Sequence, residues 1–281
     1  MSSKFIVRQA ISDDYVALSH FLSYEYFTHR HLDWRSALDW LGQPPFVLVE
    51  QDDEILGCFA APNEVPSVAW VRLFSCSAKV SRRDIWELCL QKALPLLPST
   101  VTGITALGIE SWFDNLLRQT SFEIIQEIVV FERLEQNLPE LQHPEGIFIR
   151  QMEPQDLRAL VALDALCFPP LWQMPVETFQ LAYLQSGYAS VIELNDQLIA
   201  YQITTESLSS AHLARIAVLP QFQRSGVAAA ILADMITYFK KRNVNRITVN
   251  TQNDNLNSQA LYKKFGFQQE PERYPVFLYQ L

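Results

Sequence analysis

The sequence predicts an α+β fold made of two similar units in tandem. Three observations carry that expectation: a pattern written twice at a nearly constant offset, a strand and helix order that is not regular βα alternation, and a polar, proline-bearing stretch between the copies. Phe5-Ile6-Val7-Arg8-Gln9, followed by Asp13 and Asp14, returns as Phe148-Ile149-Arg150-Gln151, followed by Asp156. Glu50 to Glu193, Arg72 to Arg215 and Val101 to Val244 are all offsets of 143 residues, and Phe122 to Phe267 is 145. The units therefore fall at residues 1–135 and 147–281, with residues 136–146, which hold Pro139 and Pro144, as the linker.

In the second copy, residues 147–151 read as a strand and 154–166 as the helix that follows it. A second helix is expected over 176–185. Strands over 189–194 and 197–205 are joined by Asn195-Asp196, as the first copy joins its pair at Asp52-Asp53, and such dipeptides suit a tight hairpin turn. A strand over 211–219 runs into Pro220 and a turn, and then into a helix over 226–241. Val227, Ile231 and Met235, with Leu232, Ile236 and Phe239 beside them, give that helix one buried face. A strand over 245–251, a helix over 256–265 and a strand over 275–281 complete the unit.

Composition narrows the class. The apolar content of 49% is enough for a core in each unit, and the net charge of -9 argues against a nucleic-acid or anionic-membrane surface. No apolar run has the length of a bilayer span, so the expectation is a cytoplasmic protein with no membrane partner. Cys58, Cys76, Cys89 and Cys167 form no CxxC pair and no HExxH is present, so neither a disulfide frame nor a metal site is expected.

The stretch with the most chemical content is Arg215-Ile216-Ala217-Val218-Leu219-Pro220-Gln221-Phe222-Gln223-Arg224-Ser225-Gly226-Val227-Ala228. After Pro220 the chain must turn, and Gly226 and Ala228 leave main-chain amides uncovered at a helix start, where they can cradle an anion. The spacing fits neither the three-glycine dinucleotide fingerprint nor the GlyLys phosphate loop. Further on, Asn255 is placed to cap a helix that carries Tyr262 and ends at Gly266.

Gln223-x-x-Gly226-x-Ala228 after IleAlaVal, with Asn255-x-x-Ser258-x-Ala260-Leu261-Tyr262 and Gly266-Phe267, resembles the GNAT superfamily of acyl-CoA N-acyltransferases. The resemblance covers the second half and, more weakly, the first. It implies a mixed, mostly antiparallel central sheet flanked by helices in each unit, and acetyl-CoA as co-substrate. It also implies cofactor contacts from the main chain of Ile216, Ala217 and Val218, from Gln223, Arg224, Ser225, Gly226, Val227, Ala228 and Ala229, and from Asn255. By the same resemblance Tyr262 supplies a proton to the leaving sulfur, although a buried core phenol would look the same. His212 sits where serotonin N-acetyltransferase has a histidine working through water; a plain strand-end histidine is the alternative. Phe168 and Trp172, in a proline-rich turn, either shape the acceptor pocket or simply pack.

The second half is also similar to ribosomal-protein alanine N-acetyltransferases, but Asn250 stands where those carry a glutamate. The implied reaction is transfer of an acetyl group by direct attack of an amine, either a small molecule or a peptide N-terminus. A coenzyme A sensor or interaction module without turnover is the competing expectation. A Fem-like aminoacyl transferase would not need the cradle. In the first copy Val80, Arg83 and Ile85 replace Gln223, Gly226 and Ala228, while Glu110 and Leu117 replace Asn255 and Tyr262, so a degenerate unit that does not use coenzyme A is expected. Arg83 and Ile85 are expected to obstruct phosphate approach.

Overall fold

The computed structural model describes residues 4–65, 67–134, 137–140 and 144–281. The first half runs β1 (Ile6–Gln9), α1 (Tyr15–Tyr24), β2 (Phe27–Arg30), β3 (Phe46–Gln51), β4 (Glu54–Ala60), β5 (Val68–Trp70), β6 (Leu73–Cys76), α2 (Arg82–Ala93), β7 (Gly103–Leu107), α3 (Ser111–Leu117) and β8 (Glu123–Arg133). The second runs β9 (Ile147–Gln151), α4 (Leu157–Cys167), α5 (Val176–Leu184), β10 (Tyr188–Leu194), β11 (Gln197–Glu206), β12 (Ser210–Val218), α6 (Val227–Lys241), β13 (Arg246–Gln252), α7 (Leu256–Lys264) and β14 (Gln268–Gln280). This is the α+β order expected from the sequence.

The repeat is visible at the level of single side chains. Arg8 donates from Nε to Glu50 at 2.8 Å and from a terminal nitrogen to Asp14 at 2.8 Å. Arg150 makes the same two bonds, to Glu193 at 3.0 Å and Asp156 at 2.7 Å. Each guanidinium ties the first strand of its unit to the next helix start and to the neighbouring strand, by charge-assisted bonds of the stronger kind. The hairpin turns match as well. Asp52 and Asp53 have φ of 53° and 61°, and Asn195 and Asp196 have 50° and 61°. Two successive left-handed residues are what a type I′ hairpin needs, and Asn and Asp tolerate them.

The compact units depart from the expected cut at 135 and 147. One comprises Met1–Gln126 with Tyr274–Leu281, and the other Glu127–Arg273. In the second unit, Ile128 to Arg133 of β8 pair antiparallel with β13, and in the first, Val276 to Gln280 of β14 pair antiparallel with β7. Each half of the chain thus gives its closing strand to the other unit, a long-range choice of partner that local periodicity does not encode. Strand β14 is also longer than expected. Pro271 and Pro275 read as strand breakers, yet the chain stays extended through both, and the Pro275 carbonyl accepts the Gly108 amide at 2.9 Å. Of the expected linker, residue 136 and residues 141–143 lie outside the described residues.

The first unit contains a five-stranded sheet in the order β1-β3-β4-β6-β2, with β5 parallel to β7. Trp86 of α2 is fully buried there among Phe59, Phe74, Phe113 and Phe122, at ring separations of 5.5, 5.0, 5.6 and 5.4 Å. In the second unit β9, β10, β11 and β12 pair antiparallel, and β12 pairs parallel with β13. Helix α6 buries Ile231, Leu232, Met235, Ile236 and Phe239, the face that the periodicity predicts.

Candidate active site of the second unit

The site begins with a break in pairing. Strand β12 bonds to β13 only from Ser210 to Leu213. On its other edge the register with β11 shifts at the same place, Ile203 facing Arg215 and Thr204 facing Leu213, so Ala214 is bulged. Past the bulge β12 keeps β11 and leaves β13. The Leu219 amide donates to Ile199 at 2.9 Å. Alternation along an antiparallel ladder then turns the main-chain groups of Ile216 and Val218 away from β11, into the opening, while Ala217 bonds to β11. Of the three residues expected to use main-chain contacts, Ile216 and Val218 have theirs so directed.

The Val218 carbonyl accepts Gln223 Nε2 at 3.0 Å and Cys167 Sγ at 3.3 Å. Gln223 therefore fastens the turn to the strand end. The Cys167 thiol is pushed up to about 11, chiefly by burial and next by the nearby Asp164 charge, and so stays protonated as a donor.

The turn after Pro220 ends with two left-handed residues. Arg224 has φ 60° and Gly226 has φ 89°, a value at which a side chain would be strained. Ser225 Oγ donates to the Phe222 carbonyl at 2.6 Å. Residues 223–226 are exposed, and Gly226 is the N-cap of α6. The first amide of α6 bonded within the helix is that of Ala230, to Gly226 at 3.0 Å. The amides of Val227, Ala228 and Ala229 therefore have no acceptor in their own helix, and they sit at the positive end of a 15-residue dipole. These residues fit a diphosphate: the first three amides of α6 are unbonded within the helix, the helix end favours negative charge, and Gly226, Ala228 and Ala229 put no large side chain at the helix start.

Tyr262 is 2% exposed and packs with Phe131 and Phe267, at ring separations of 6.0 and 5.7 Å. The same cluster holds Leu213 of β12, with Ile216 and Ala229 packed against it, so strand, helix start and phenol meet in one core. Burial raises the Tyr262 phenol above its ordinary value, and a bond with Ser258 acts the other way; the group stays protonated at neutral pH. Asn255 caps α7, its Oδ1 accepting the Ser258 amide at 3.2 Å. His212 Nδ1 is hydrogen bonded to Thr248 Oγ1 at 2.9 Å, in the last paired stretch before the bulge, and burial lowers its pKa. The imidazole is therefore neutral at pH 7.

Phe168 and Trp172 are half-buried and are held by a group that sequence reasoning missed. Arg215 Nε donates to Asp164 at 2.9 Å, and a terminal nitrogen donates to the other oxygen at 2.8 Å. The same guanidinium donates to the Trp172 carbonyl at 2.6 Å and lies 3.5 Å from the Phe168 ring centroid. Asp164 is fully buried; it also accepts the Tyr201 hydroxyl and the Met174 amide. A bidentate pair with these extra donors is the form in which a buried charge is tolerated. Asp164, the one acidic residue within a mostly apolar helix, was the available signal. Among the described residues, no group of His, Cys, Asp or Glu is arranged to hold a metal ion. No helix there is long and apolar enough to cross a membrane.

In the first unit the equivalent positions are filled. Ser81 caps α2, accepting the Asp84 amide at 3.3 Å. Arg83 bonds to Glu87 at 2.9 Å along the helix surface, and Glu110 is hydrogen bonded to the buried His29 at 2.7 Å. Ile85 does not stand over the helix start as expected. It is fully buried, and a Cβ on Gly57 would come within 2.3 Å of its Cγ2. Leu117, at the place of Tyr262, is fully buried too.

Residues 157–267 match the Acetyltransferase (GNAT) family. The ribosomal protein bS18-alanine N-acetyltransferase of Escherichia coli is 36% identical over 73 residues, 26% of this chain and 49% of that protein. A Bacillus subtilis protein that carries the same name provisionally is 25% identical over 122 residues, 43% of this chain and 80% of its own. The chain thus spans about half the length of the first relative and most of the second. Two solved structures share the fold along nearly the whole chain. A GCN5-related N-acetyltransferase from Sphaerobacter thermophilus has a TM-score of 0.61 at 19% identity, covering 98% of this chain and 95% of that one. A tandem GNAT protein from the clavulanic acid biosynthesis pathway has 0.61 at 13%, covering 99% and 98%. A cradle at the start of α6, a splayed strand before it and the family match lead to one conclusion: residues 157–267 form a domain of the Acetyltransferase (GNAT) family.

Proposed function

We propose that the second unit transfers an acetyl group from acetyl-CoA to an amine by direct attack, and that the unit made by the first half of the chain takes no part in the chemistry. The observation that carries this is the left-handed Gly226 opening α6, with the amides of Val227 to Ala229 bare beside an opened strand. The cradle residues would hold the diphosphate, and the main-chain groups of Ile216 would hold the pantetheine arm as an added strand does. Acetyl-CoA, when bound, supplies a thioester activated toward nucleophiles.

The remaining steps belong to this chain's side chains and amides. An ammonium acceptor must lose its proton before attack, and a neutral His212 is suited to take it through water. The Val218 amide would donate to the oxyanion. Tyr262, kept protonated by burial, would give its proton to the departing sulfur. Phe168 and Trp172, fixed by Arg215 and Asp164, would border the amine. The names of the relatives support a peptide N-terminus as acceptor, while Asn250 in place of a glutamate leaves a small-molecule amine open and favours, as a second reading, a coenzyme A sensor.

Thiol release from acetyl-CoA, followed with a panel of small amines and alanine-ended peptides, tests the proposal. Release that depends on an acceptor is expected. Tight acetyl-CoA binding with no release for any acceptor would replace the enzyme by the sensor.

A further inference from the structure

Residues 166–176, Leu-Cys-Phe-Pro-Pro-Leu-Trp-Gln-Met-Pro-Val, hold no Asp, Glu, Lys or Arg. They run from the end of α4 to the start of α5 and lie against the opened stretch of β12. Cys167 Sγ donates to the Val218 carbonyl at 3.3 Å, and the Arg215 guanidinium donates to the Trp172 carbonyl at 2.6 Å and lies 3.5 Å from the Phe168 ring centroid. An amine that attacks beside Val218 therefore arrives next to this stretch. We propose that the stretch selects the acceptor, an amine carried on an uncharged apolar or aromatic body. This rests on the acetyl transfer proposed above and names its acceptor class.

The polar groups of the stretch are largely bonded within it. The amides of Phe168, Trp172 and Gln173 donate to the carbonyls of Asp164, Pro169 and Pro170 at 3.0, 2.8 and 3.3 Å, and that of Met174 donates to Asp164 Oδ2 at 3.0 Å. Pro169, Pro170 and Pro175 have no N–H to give. Gln173 Nε2 donates to the Ala165 and Phe168 carbonyls at 3.2 and 3.0 Å. The ion pair packed against the stretch is closed as well: both Asp164 oxygens accept from Arg215, and the carboxylate is fully buried. Asp164 is thus not left to hold an ammonium. What remains as surface is apolar, with Phe168, Leu171, Trp172 and Met174 half-buried and Leu166 and Val176 exposed.

The first unit shows what the prolines change. At the 143-residue offset, residues 170–176 match 27–33, Phe-Thr-His-Arg-His-Leu-Asp, which have no proline and four ionisable side chains. There Phe27 to Arg30 become β2 and pair antiparallel with Cys76 to Leu73 of β6. Strand β6 holds the place of the end of β12, since the Ser77 amide donates to Leu56 at 2.9 Å as that of Leu219 does to Ile199. The first unit thus covers this strand edge with its own chain. A segment with three prolines cannot make that ladder, so in the second unit the stretch stays beside the edge as a wall.

Such a wall acts on charge. A cation beside it loses water without gaining a partner, so the neutral amine, the form that attacks, is favoured over the ammonium. A second charge on the acceptor would have to be stripped of water as well. An aromatic or alkyl body instead buries apolar surface against Phe168, Leu171 and Trp172.

Thiol release from acetyl-CoA by the full chain, with 2-phenylethylamine, spermidine and the peptides Phe-Ala-Ala and Arg-Ala-Ala as acceptors, tests the proposal. The expected kcat/KM is at least about tenfold higher for 2-phenylethylamine or Phe-Ala-Ala than for spermidine and Arg-Ala-Ala, and the better of the first two tells a small amine from a chain end. Leu171→Asp should remove the preference through the KM of the apolar acceptor, with the KM for acetyl-CoA unchanged. Met174→Gln, a milder change in the same stretch, should reduce it if the Leu171 variant proves unstable. Equal use of charged and apolar acceptors, or the same preference in every folded variant, overturns the inference and leaves acetyl transfer standing. Acetyl-CoA binding with no release for any acceptor overturns the transfer itself, and this inference with it.

Discussion

By the constant sequence offset Ile85 matches Ala228 and Trp86 matches Ala229, yet Ile85 is the fourth residue after the Ser81 cap of α2 and Ala228 the second after the Gly226 cap of α6. In the first unit Ile85 presses on Gly57 and Trp86 fills the space between Phe59, Phe74, Phe113 and Phe122. In the second, Ala228 and Ala229 follow the left-handed Gly226, and the helix end is left to its amides. The comparison teaches that the first unit closes its helix start with the Ser81 side chain and a packed first turn, whereas the second opens it with Gly226 and no side-chain cap. Two large apolar side chains stabilise a fold by several kcal/mol when fully buried, whereas a bare helix end contributes nothing until an anion arrives. Arg8 with Asp14 and Glu50, and Arg150 with Asp156 and Glu193, show that the scaffold itself was kept on both sides.

The contrast can be broken or sharpened by substitution. The largest expected effect is Tyr262→Phe, which should lower kcat roughly 10²–10⁴-fold, the usual scale for a positioned acid, with acetyl-CoA affinity unchanged. The matching Leu117→Tyr in the first unit should restore nothing. Ile85→Ala should cost about 2–5 kcal/mol in denaturant unfolding, by the transfer and cavity terms of a fully buried isoleucine, and leave catalysis intact.

Arg8→Met and Arg150→Met should each cost about 1.5–3 kcal/mol, the range for hydrogen bonds to charged groups. Hydrogen bonds from the two arginines, the largest cause, hold the Asp14 and Asp156 carboxyls below their ordinary value. A depressed carboxylate adds stability above its unfolded pKa of about 3.9, and that stability is lost as pH falls through the lower folded value. The wild type should therefore lose stability below about pH 4 more steeply than either variant. The smallest effect is in the pH profile. If His212 is the base, kcat/KM should hold as pH drops through the ordinary imidazole range of about 6.5 and fall only below it, because burial lowers the His212 pKa, and His212→Gln should abolish that limb.

Most of the second unit was legible in its residues, because each helix carries a single apolar face and each hairpin a matching turn dipeptide. The loop from Gln223 to Gly226 was legible too, since a glycine at a helix start is a local feature. What escaped depends on distant partners. Nothing near Val276 says that its strand will pair with Leu107, and nothing near Ile128 points to Gln252. Asp164 and Arg215 are 51 positions apart, and only folding makes them a pair.

The central claim is that the amides at the start of α6 hold coenzyme A and that their counterparts in the first unit do not. Calorimetric titration of acetyl-CoA into the wild type, Gly226→Trp and Arg83→Trp tests it most directly. One site per chain is expected in the wild type and in Arg83→Trp, with at least a hundredfold loss in Gly226→Trp. Unchanged affinity in Gly226→Trp, or loss confined to Arg83→Trp, would contradict the account.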